Sequence, residues 1–278
     1  MINSVIKLTS PTVVRDVLAR QGIRLRKELG QHFLVDENVL HRIVEAIEPA
    51  PEDVVVEVGA GLGTLTVALA PHVGRLYAVE IDERLVPLLR DHVAPFAHVV
   101  VVPGDFRGLA LAEFGERLVV VGNLPYGITS EVLLKLVRER VGRAVLMVQA
   151  EVGEKLLAPP GPEASRLGVH LRAYYDVELV RKVARTVFFP PPEVDSVLIK
   201  LHKRLSPRTT VPDEVLEQTL ALVFSARRKT LRRLLSDRFS SQEAERILDE
   251  VGLDGRVRGE ALDFADLDRL AHVLWKRF

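Results

Sequence analysis

From Asp53 to about Lys200, short apolar runs alternate with segments whose apolar residues recur at helical spacing. The runs are Val54–Val58, Leu76–Ile81, Val99–Val102, Leu118–Val121 and Ala144–Val148. Several are apolar throughout, the pattern of strands covered on both faces. Helical stretches such as Glu83–His92 and Ser130–Val141 lie between them. Strands alternating with helices predict a parallel, doubly wound α/β sheet. Two further extended segments, Tyr174–Val180 and Val197–Leu201, are separated by the proline-rich Phe188–Pro192. Upstream, Pro11–Gln21 and Asp36–Ile47 read as helices. Downstream, Ser206, Pro207 and Pro212 punctuate the chain and the alternation stops. The remainder reads as helices only: Asp213–Leu235, Ser241–Val251 and Phe264–Lys276. Ser241, with Glu243 and Glu245 after it, resembles an N-cap and an acidic first turn. The expected organisation is an α/β domain with a helical N-terminal extension over 1–205 and a small helical domain over 206–278.

Composition narrows the classes. A chain of 278 residues, 47% of them hydrophobic, can bury a sizeable core. No apolar run approaches the roughly 20 residues of a membrane span. Met1–Pro11 lacks the apolar core and cleavage site of a signal peptide. The absence of Cys excludes disulfides, thiolate metal sites and cysteine nucleophiles. Cytoplasmic residence without a membrane partner is the expectation. The net charge is +0, so a nucleic-acid partner must be held by local patches. One candidate patch is Arg15, Arg20, Arg24, Arg26 and Lys27; another is Arg227, Arg228, Lys229, Arg232, Arg233 and Arg238.

The strand Val54–Val58 runs into Gly59-Ala60-Gly61-Leu62-Gly63-Thr64. Glycines at such a turn let backbone approach a ligand and leave helix N-terminal amides free. A dinucleotide fingerprint needs Gly where Thr64 stands, so the pattern is G-x-G-x-G, preceded by the acidic Glu57. A tight turn alone also explains a glycine cluster, but the next two strand ends add to it. Glu80 sits at the tip of the second strand, where a carboxylate can accept both hydroxyls of a ribose. Gly104-Asp105-Phe106 follows the third, offering an acceptor for an adenine amine and an apolar wall for its ring.

After the fourth strand comes Gly122-Asn123-Leu124-Pro125-Tyr126. An aromatic exocyclic amine is a poor nucleophile because its lone pair is delocalised into the ring. Two acceptors on its hydrogens favour the pyramidal form and free that pair. The Asn123 side-chain oxygen and the Leu124 carbonyl are the candidates, with Pro125 stiffening the turn and Tyr126 stacking on the base.

These residues resemble the KsgA-type small-subunit rRNA adenine dimethyltransferases, over nearly the whole chain. Lys27-Glu28-Leu29-Gly30-Gln31-His32-Phe33-Leu34 looks like that family's G-Q-[NH]-F-L opening, and Gln149-Ala150-Glu151-Val152 like its Q-x-E-V. Phe188-Phe189-Pro190-Pro191-Pro192-Glu193-Val194-Asp195-Ser196 resembles F-x-P-x-P-x-V-D-S. The resemblance implies a Rossmann-like class I methyltransferase sheet, with S-adenosyl-L-methionine contacting His32, Leu34, Gly59, Gly61, Glu80, Ile81, Asp105, Phe106 and Asn123. A flipped adenine would lie between Tyr126 and Phe188, and no metal is required. The implied substrate is two adjacent adenosines in a hairpin loop near the 3′ end of small-subunit rRNA, in the immature subunit. The chain is expected to act as a monomer with a role in small-subunit biogenesis.

The related Erm-type enzymes share the catalytic motifs and act on large-subunit rRNA. The tail favours the small-subunit branch, since Phe224-Ser225-Ala226-Arg227-Arg228-Lys229-Thr230-Leu231-Arg232-Arg233 resembles F-x-Q-R-R-K-T-L-R-N. Arg258-Gly259-Glu260-Ala261-Leu262 resembles R-P-E-x-L. Departures are His32 for the common Asn, Ala226 for Gln, Arg233 for Asn, Gly259 for Pro, and Ala164-Ser165-Arg166-Leu167-Gly168-Val169, which reads as a reshaped loop. A non-catalytic assembly checkpoint and a DNA adenine methyltransferase are the other classes. The first has no need of Asn123, Pro125 and Tyr126 together. The second calls for an Asp-Pro-Pro-Tyr variant and a target-recognition insert, neither present.

On one continuous helical wheel, Leu220, Val223, Phe224, Leu231, Leu234 and Leu235 form an apolar stripe, with Arg227 falling inside it. Arg228, Lys229, Arg232 and Arg233 lie opposite, and no acid occurs from Phe224 to Leu235. This face is expected to track RNA phosphates.

Overall fold

The computed structural model describes residues 7–115 and 117–278, apart from the side chain of Lys27. Of the signal-peptide reading, residues 1–6 lie outside the described part, as does the Lys27 side chain of the first basic patch. The chain divides into two compact units, one made of 1–153 with 178–202 and the other of 154–177 with 203–278.

The strands form where the apolar runs lie. In chain order they are β1 (Phe33–Leu34), β2 (Val54–Val58), β3 (Arg75–Glu80), β4 (Val99–Pro103), β5 (Leu118–Asn123), β6 (Arg143–Gln149), β7 (Tyr175–Val183), β8 (Phe188–Phe189) and β9 (Ser196–Lys203). Seven make one sheet in the order β4-β3-β2-β5-β6-β9-β7, while β1 pairs with β8. Strands β4, β3, β2, β5 and β6 run parallel, and β9 lies antiparallel to β6, Gln149 opposite Ser196. From β2 the chain winds outward to β3 and β4, then returns to β5 on the other side. The order therefore reverses between β2 and β5, and the carboxyl ends of those strands open a crevice.

The helices are α1 (Pro11–Arg20), α2 (Glu37–Ile47), α3 (Thr64–Leu69), α4 (Val86–Val93), α5 (Thr129–Arg138), α6 (Ala150–Leu157), α7 (Arg166–Tyr174), α8 (Asp213–Val223), α9 (Leu231–Arg238), α10 (Ser241–Val251) and α11 (Phe264–Trp275). Helices α2, α3 and α4 close one side of the sheet, with Ile47, Leu69 and Leu89 fully buried against Val55 and Leu76. Helix α1 packs Val14 and Leu18 with Leu62 and Leu85. The expected helix at Glu83 begins only at Val86, where Pro87 falls in the first turn and its missing amide costs nothing. No helix of the described residues is long and apolar enough to cross a membrane.

The helical unit differs from the reading at residue 206 in four respects. Residues 154–177 belong with it, because Val169 and Ala173 of α7 enter its core beside Leu220, Leu231 and Leu270. The segment read as a reshaped loop starts that helix, with Ser165 Oγ accepting from the Gly168 amide at 3.0 Å. The expected continuous helix over Asp213–Leu235 is broken after Val223. Thr230 caps α9, and the amides of Leu231 and Arg232 donate to the carbonyls of Val257 and Gly255, at 2.7 and 2.9 Å. Those amides are thereby withdrawn from the preceding turn, so no single wheel spans 220–235. Helix α10 is capped by Ser240, one residue before the expected Ser241.

Gly259 has a packing reason. A Cβ there would lie 2.1 Å from the Val223 carbonyl oxygen, leaving no room for any side chain, proline included. Gly259→Ala should destabilise the protein by about 1–3 kcal/mol through overpacking. The denaturant midpoint reads this directly, and an unchanged midpoint contradicts the packing account.

Candidate active site

The crevice at the ends of β2 and β5 is a cleft with about 840 Å³ of empty space, counting the open solvent at its mouth. Three strand ends form its floor: Glu57 and Gly59 at the end of β2, Glu80 and Ile81 at the end of β3, Gly122 and Asn123 at the end of β5. Residues 29–34 form its roof. Met147 of β6 and Leu198 of β9 are also in the wall, core positions that carry no chemical signal in sequence.

Glu80 is buried at 5% exposure. Its Oε2 accepts from the Gly61 amide at 2.7 Å and its Oε1 from the Asp82 amide at 2.8 Å. Burial pushes its pKa up, opposed by those amides. The bond needs the chain to pass close: Gly61 has φ +59° and a Cβ there would sit 3.1 Å from the Phe33 ring. The G-x-G-x-G loop is thus tied by its own backbone to the Glu80 carboxylate. Ile81 beside it is exposed.

The roof is held by polar ties to several elements. Gln31 Nε2 donates to Asp82 Oδ2 at 2.7 Å, and Arg84 binds both Asp82 oxygens while donating to the Arg24 carbonyl at 2.9 Å. The Arg84 guanidinium draws the Asp82 carboxyl down to a pKa of about 2. His32 Nδ1 lies 2.8 Å from the Pro190 carbonyl and so carries the proton. Pairing of β1 with β8 sets Leu34 opposite Phe188 and Phe33 opposite Phe189.

The Asn123-Leu124-Pro125-Tyr126 turn sits under this roof. Asn123 Nδ2 donates to the His32 carbonyl at 2.9 Å. A carbonyl only accepts, so the amide orientation is fixed and Oδ1 is the free end. The Leu124 amide donates to the Met147 carbonyl at 3.1 Å. Neither Asn123 Oδ1 nor the Leu124 carbonyl has a hydrogen-bond partner among the described residues. Tyr126 is half-buried, its ring stacked with His32 at 5.9 Å between centroids and its hydroxyl 3.3 Å from Ser196 Oγ. Burial raises its pKa, so it is a neutral stacking surface at ordinary pH.

The cleft gathers His32, Leu34, Gly59, Gly61, Glu80, Ile81 and Asn123 as expected from sequence, and leaves others aside. Phe188 is 4% exposed and packed among core residues with Leu34 and Ile43, so it presents no open face to a base. Alternation along β8 instead turns Phe189 outward, beneath Arg15 at 5.3 Å. Asp105 and Phe106 lie outside the enclosed cleft. Asp105 is gripped by Arg107, its Oδ2 2.6 Å from NH2, and this pairing lowers its pKa. Phe106 is buried at 3% exposure. Among the described residues no group of three His, Asp or Glu could hold a metal.

Three of the four cations in the basic cluster at the start of α9 are already partnered. Lys229 and Arg233 meet Asp237 at 2.9 and 3.0 Å, and Arg232 meets Glu245. The acids missing from Phe224 to Leu235 come from just beyond that window and from α10. Arg228 alone of the four has no carboxylate partner among the described residues.

Residues 22–274 match the family described as Ribosomal RNA adenine dimethylase. The chain is 38% identical to Ribosomal RNA small subunit methyltransferase A of Bacillus thuringiensis, over 96% of this chain and 97% of that one, and matches the Bacillus anthracis protein of the same name equally. Among solved structures, a dimethyladenosine transferase from Plasmodium falciparum superposes with a TM-score of 0.77 at 26% identity, covering 87% of this chain and 97% of that one. The 23S rRNA methyltransferase ErmE gives 0.66 at 29%, covering 87% and 99%.

One pH effect follows from the floor of the cleft. Glu57 is buried at 3% exposure, with Thr66 Oγ1 donating to it at 2.6 Å. Desolvation raises its pKa from 4.5 to about 8. The folded chain keeps this proton over a range where the unfolded chain has lost it. Its contribution to stability is therefore full below pH 4.5 and is lost as pH rises toward about 8. Glu57→Gln should flatten the fall of unfolding free energy between those values, and be more stable than the parent at pH 8. Parallel pH profiles of parent and variant would refute this.

Proposed function

The chain belongs to the ribosomal RNA adenine dimethylase family, and from that premise we propose that it dimethylates N6 of two adjacent adenosines near the 3′ end of small-subunit rRNA, using S-adenosyl-L-methionine. The observation that carries this reading is the amide of Asn123. Its nitrogen is committed to His32 and its oxygen, with the Leu124 carbonyl, is left as an acceptor at the end of the central strands.

The residues of the cleft fit the cofactor. Glu80, held at the tip of β3 by two amides, would accept the ribose hydroxyls, and Gly59 and Gly61 would allow close approach of the methionine end. Ile81 would border the adenine, and Asp105, oriented by Arg107 at the edge of the enclosed cleft, would accept its amine, with Phe106 beside it. When bound, the cofactor supplies an electrophilic methyl group on a sulfonium. The chain then has three tasks. Asn123 Oδ1 and the Leu124 carbonyl accept the two hydrogens of the target amine and hold its lone pair out of conjugation. Tyr126 supplies the stacking face, with Phe188 behind the roof rather than across from it. The roof, closed by Gln31 and His32, keeps water from the reacting pair. After transfer the nitrogen gives up a proton to water, and a second round acts on the monomethylated amine.

An extruded, unpaired base costs least to bring into such a site, which agrees with a hairpin-loop substrate. The small-subunit assignment is supported by the names of the relatives and by the Arg227-Arg228-Lys229-Thr230-Leu231 segment. Arg228, Lys229, Arg232 and Arg233 contact rRNA backbone, phosphates displacing Asp237 and Glu245 from three of them. The partner is the immature small subunit, the chain acts as a monomer in the cytoplasm, and methylation accompanies subunit biogenesis.

Tritium transfer from labelled cofactor to purified immature small subunits and to large subunits, followed by nucleoside mapping, tests this. Dimethyladenosine in the small subunit is expected; label confined to the large subunit replaces the reading with an Erm-type one. In the same assay Asn123→Ala should lower single-turnover rates about 10²-fold or more, as for other deleted preorganised polar groups, while calorimetric cofactor affinity stays near the parent value. Near-normal turnover removes the role of Asn123.

A further inference from the structure

The helical unit holds an arrangement that the proposed reaction does not use. Arg172 on α7 and Arg208, between β9 and α8, both lie over the ring of Phe264, their guanidinium carbons 5.8 and 4.7 Å from its centroid. Backbone bonds fix this convergence. The Arg208 amide donates to the Ala173 carbonyl at 2.8 Å, and Arg172 Nε donates to the Gly168 carbonyl at 3.3 Å. Phe264 is half-buried against the helical core, while Arg208 is exposed.

The charges are unbalanced. Neither guanidinium has a carboxylate partner among the described residues, whereas Arg166, Arg204, Arg246, Arg256, Arg269 and Arg277 of the same unit each do. The acids around Phe264 are committed elsewhere. Asp263 accepts from the Asp266 amide at 2.8 Å to cap α11, and Asp266 holds Arg269 at 2.6 Å. Asp268 takes Thr209 Oγ1 at 2.8 Å and the Thr210 amide at 2.9 Å. Burial, and after it the charge of Arg208, hold the Arg172 pKa below the ordinary guanidinium value without removing its proton. Two like charges kept together on one ring invite an anion, and forked guanidiniums match phosphate oxygens in pairs.

We propose that Arg172 and Arg208, positioned by Phe264, form a phosphodiester-binding site through which the helical unit grips the RNA backbone, separate from the basic face of α9. The assignment to RNA rather than an acidic protein rests on the rRNA reading above. It also accounts for the contrast between the two clusters. On α9 three of the four cations have internal acids, so phosphate gains only what it wins from Asp237 and Glu245. Over Phe264 no carboxylate among the described residues pairs with either guanidinium.

The test is binding of the full chain to a small-subunit rRNA fragment across a salt series, comparing the parent with Arg208→Gln, with the Arg172→Gln/Arg208→Gln pair and with Phe264→Leu. Each lost contact should flatten the slope of log affinity against log salt by roughly 0.7–0.9, which is about five- to eightfold in affinity near 0.1 M salt. Phe264→Leu keeps the bulk and removes the ring, and should lose part of the same effect. Arg269→Gln, whose charge is already paired, should bind like the parent. Thermal melting of Arg208→Gln should be unchanged, because the side chain is exposed. An unchanged slope in the double variant overturns the site, whether or not affinity falls. Methyl transfer by the parent is scored alongside. Transfer with an unchanged slope removes this site and keeps the reaction, while a flattened slope without transfer keeps the site and removes the reaction.

Discussion

The His32 carbonyl accepts a hydrogen bond from the Asn123 side chain, and much of the candidate site depends on that one contact. It settles which end of the amide is free, at a position where the two ends have opposite chemistry. It also ties the last residue of a central strand to a roof segment that lies outside the seven-stranded sheet. The neighbouring ties point the same way. Gln31 reaches Asp82, His32 reaches Pro190, and β1 pairs with β8, so the roof is anchored on three sides of the cleft. His32 in place of the common Asn keeps the backbone contact, because the group that holds Asn123 belongs to the main chain.

Charge in the site is arranged by burial as much as by pairing. Glu57 and Glu80 are both buried, and desolvation raises both. Glu80 has two backbone amides to oppose that effect, whereas Glu57 has a single hydroxyl. Asp82, close to Glu80, is drawn strongly down by Arg84. The strand tip that would receive ribose hydroxyls therefore keeps acceptors already aimed by the backbone. The carboxyl beneath the glycine loop stays protonated over most of the neutral range. A cationic ligand end entering above Glu57 would favour its ionisation, so the floor of the cleft can respond to the charge it meets.

The sheet, the glycine loop, Glu80 and the Asn123–Tyr126 turn were all legible in sequence, because each depends on local pattern: apolar runs, glycine placement and residue types at strand ends. What was not legible depends on partners distant in the chain. The break between α8 and α9 is made by carbonyls of Gly255 and Val257, invisible to a wheel drawn over 220–235. The neutralisation of Arg232 comes from Glu245 on the next helix, outside the window searched for acids. Phe188 matches a motif, but its pairing with Leu34 decides that it faces the core. Helix α7 contains Gly168 and follows a proline-bearing stretch, so its local signal is weak and its place is set by burial of Val169 and Ala173.

The most direct test of the central contact is a crystal structure of the protein with S-adenosylhomocysteine and a short RNA hairpin carrying the target adenosines. Asn123 Nδ2 is expected to remain on the His32 carbonyl, with Oδ1 and the Leu124 carbonyl each within hydrogen-bond distance of the adenine N6. An Asn123 side chain turned away from N6, or a His32 carbonyl released from it, would contradict the account.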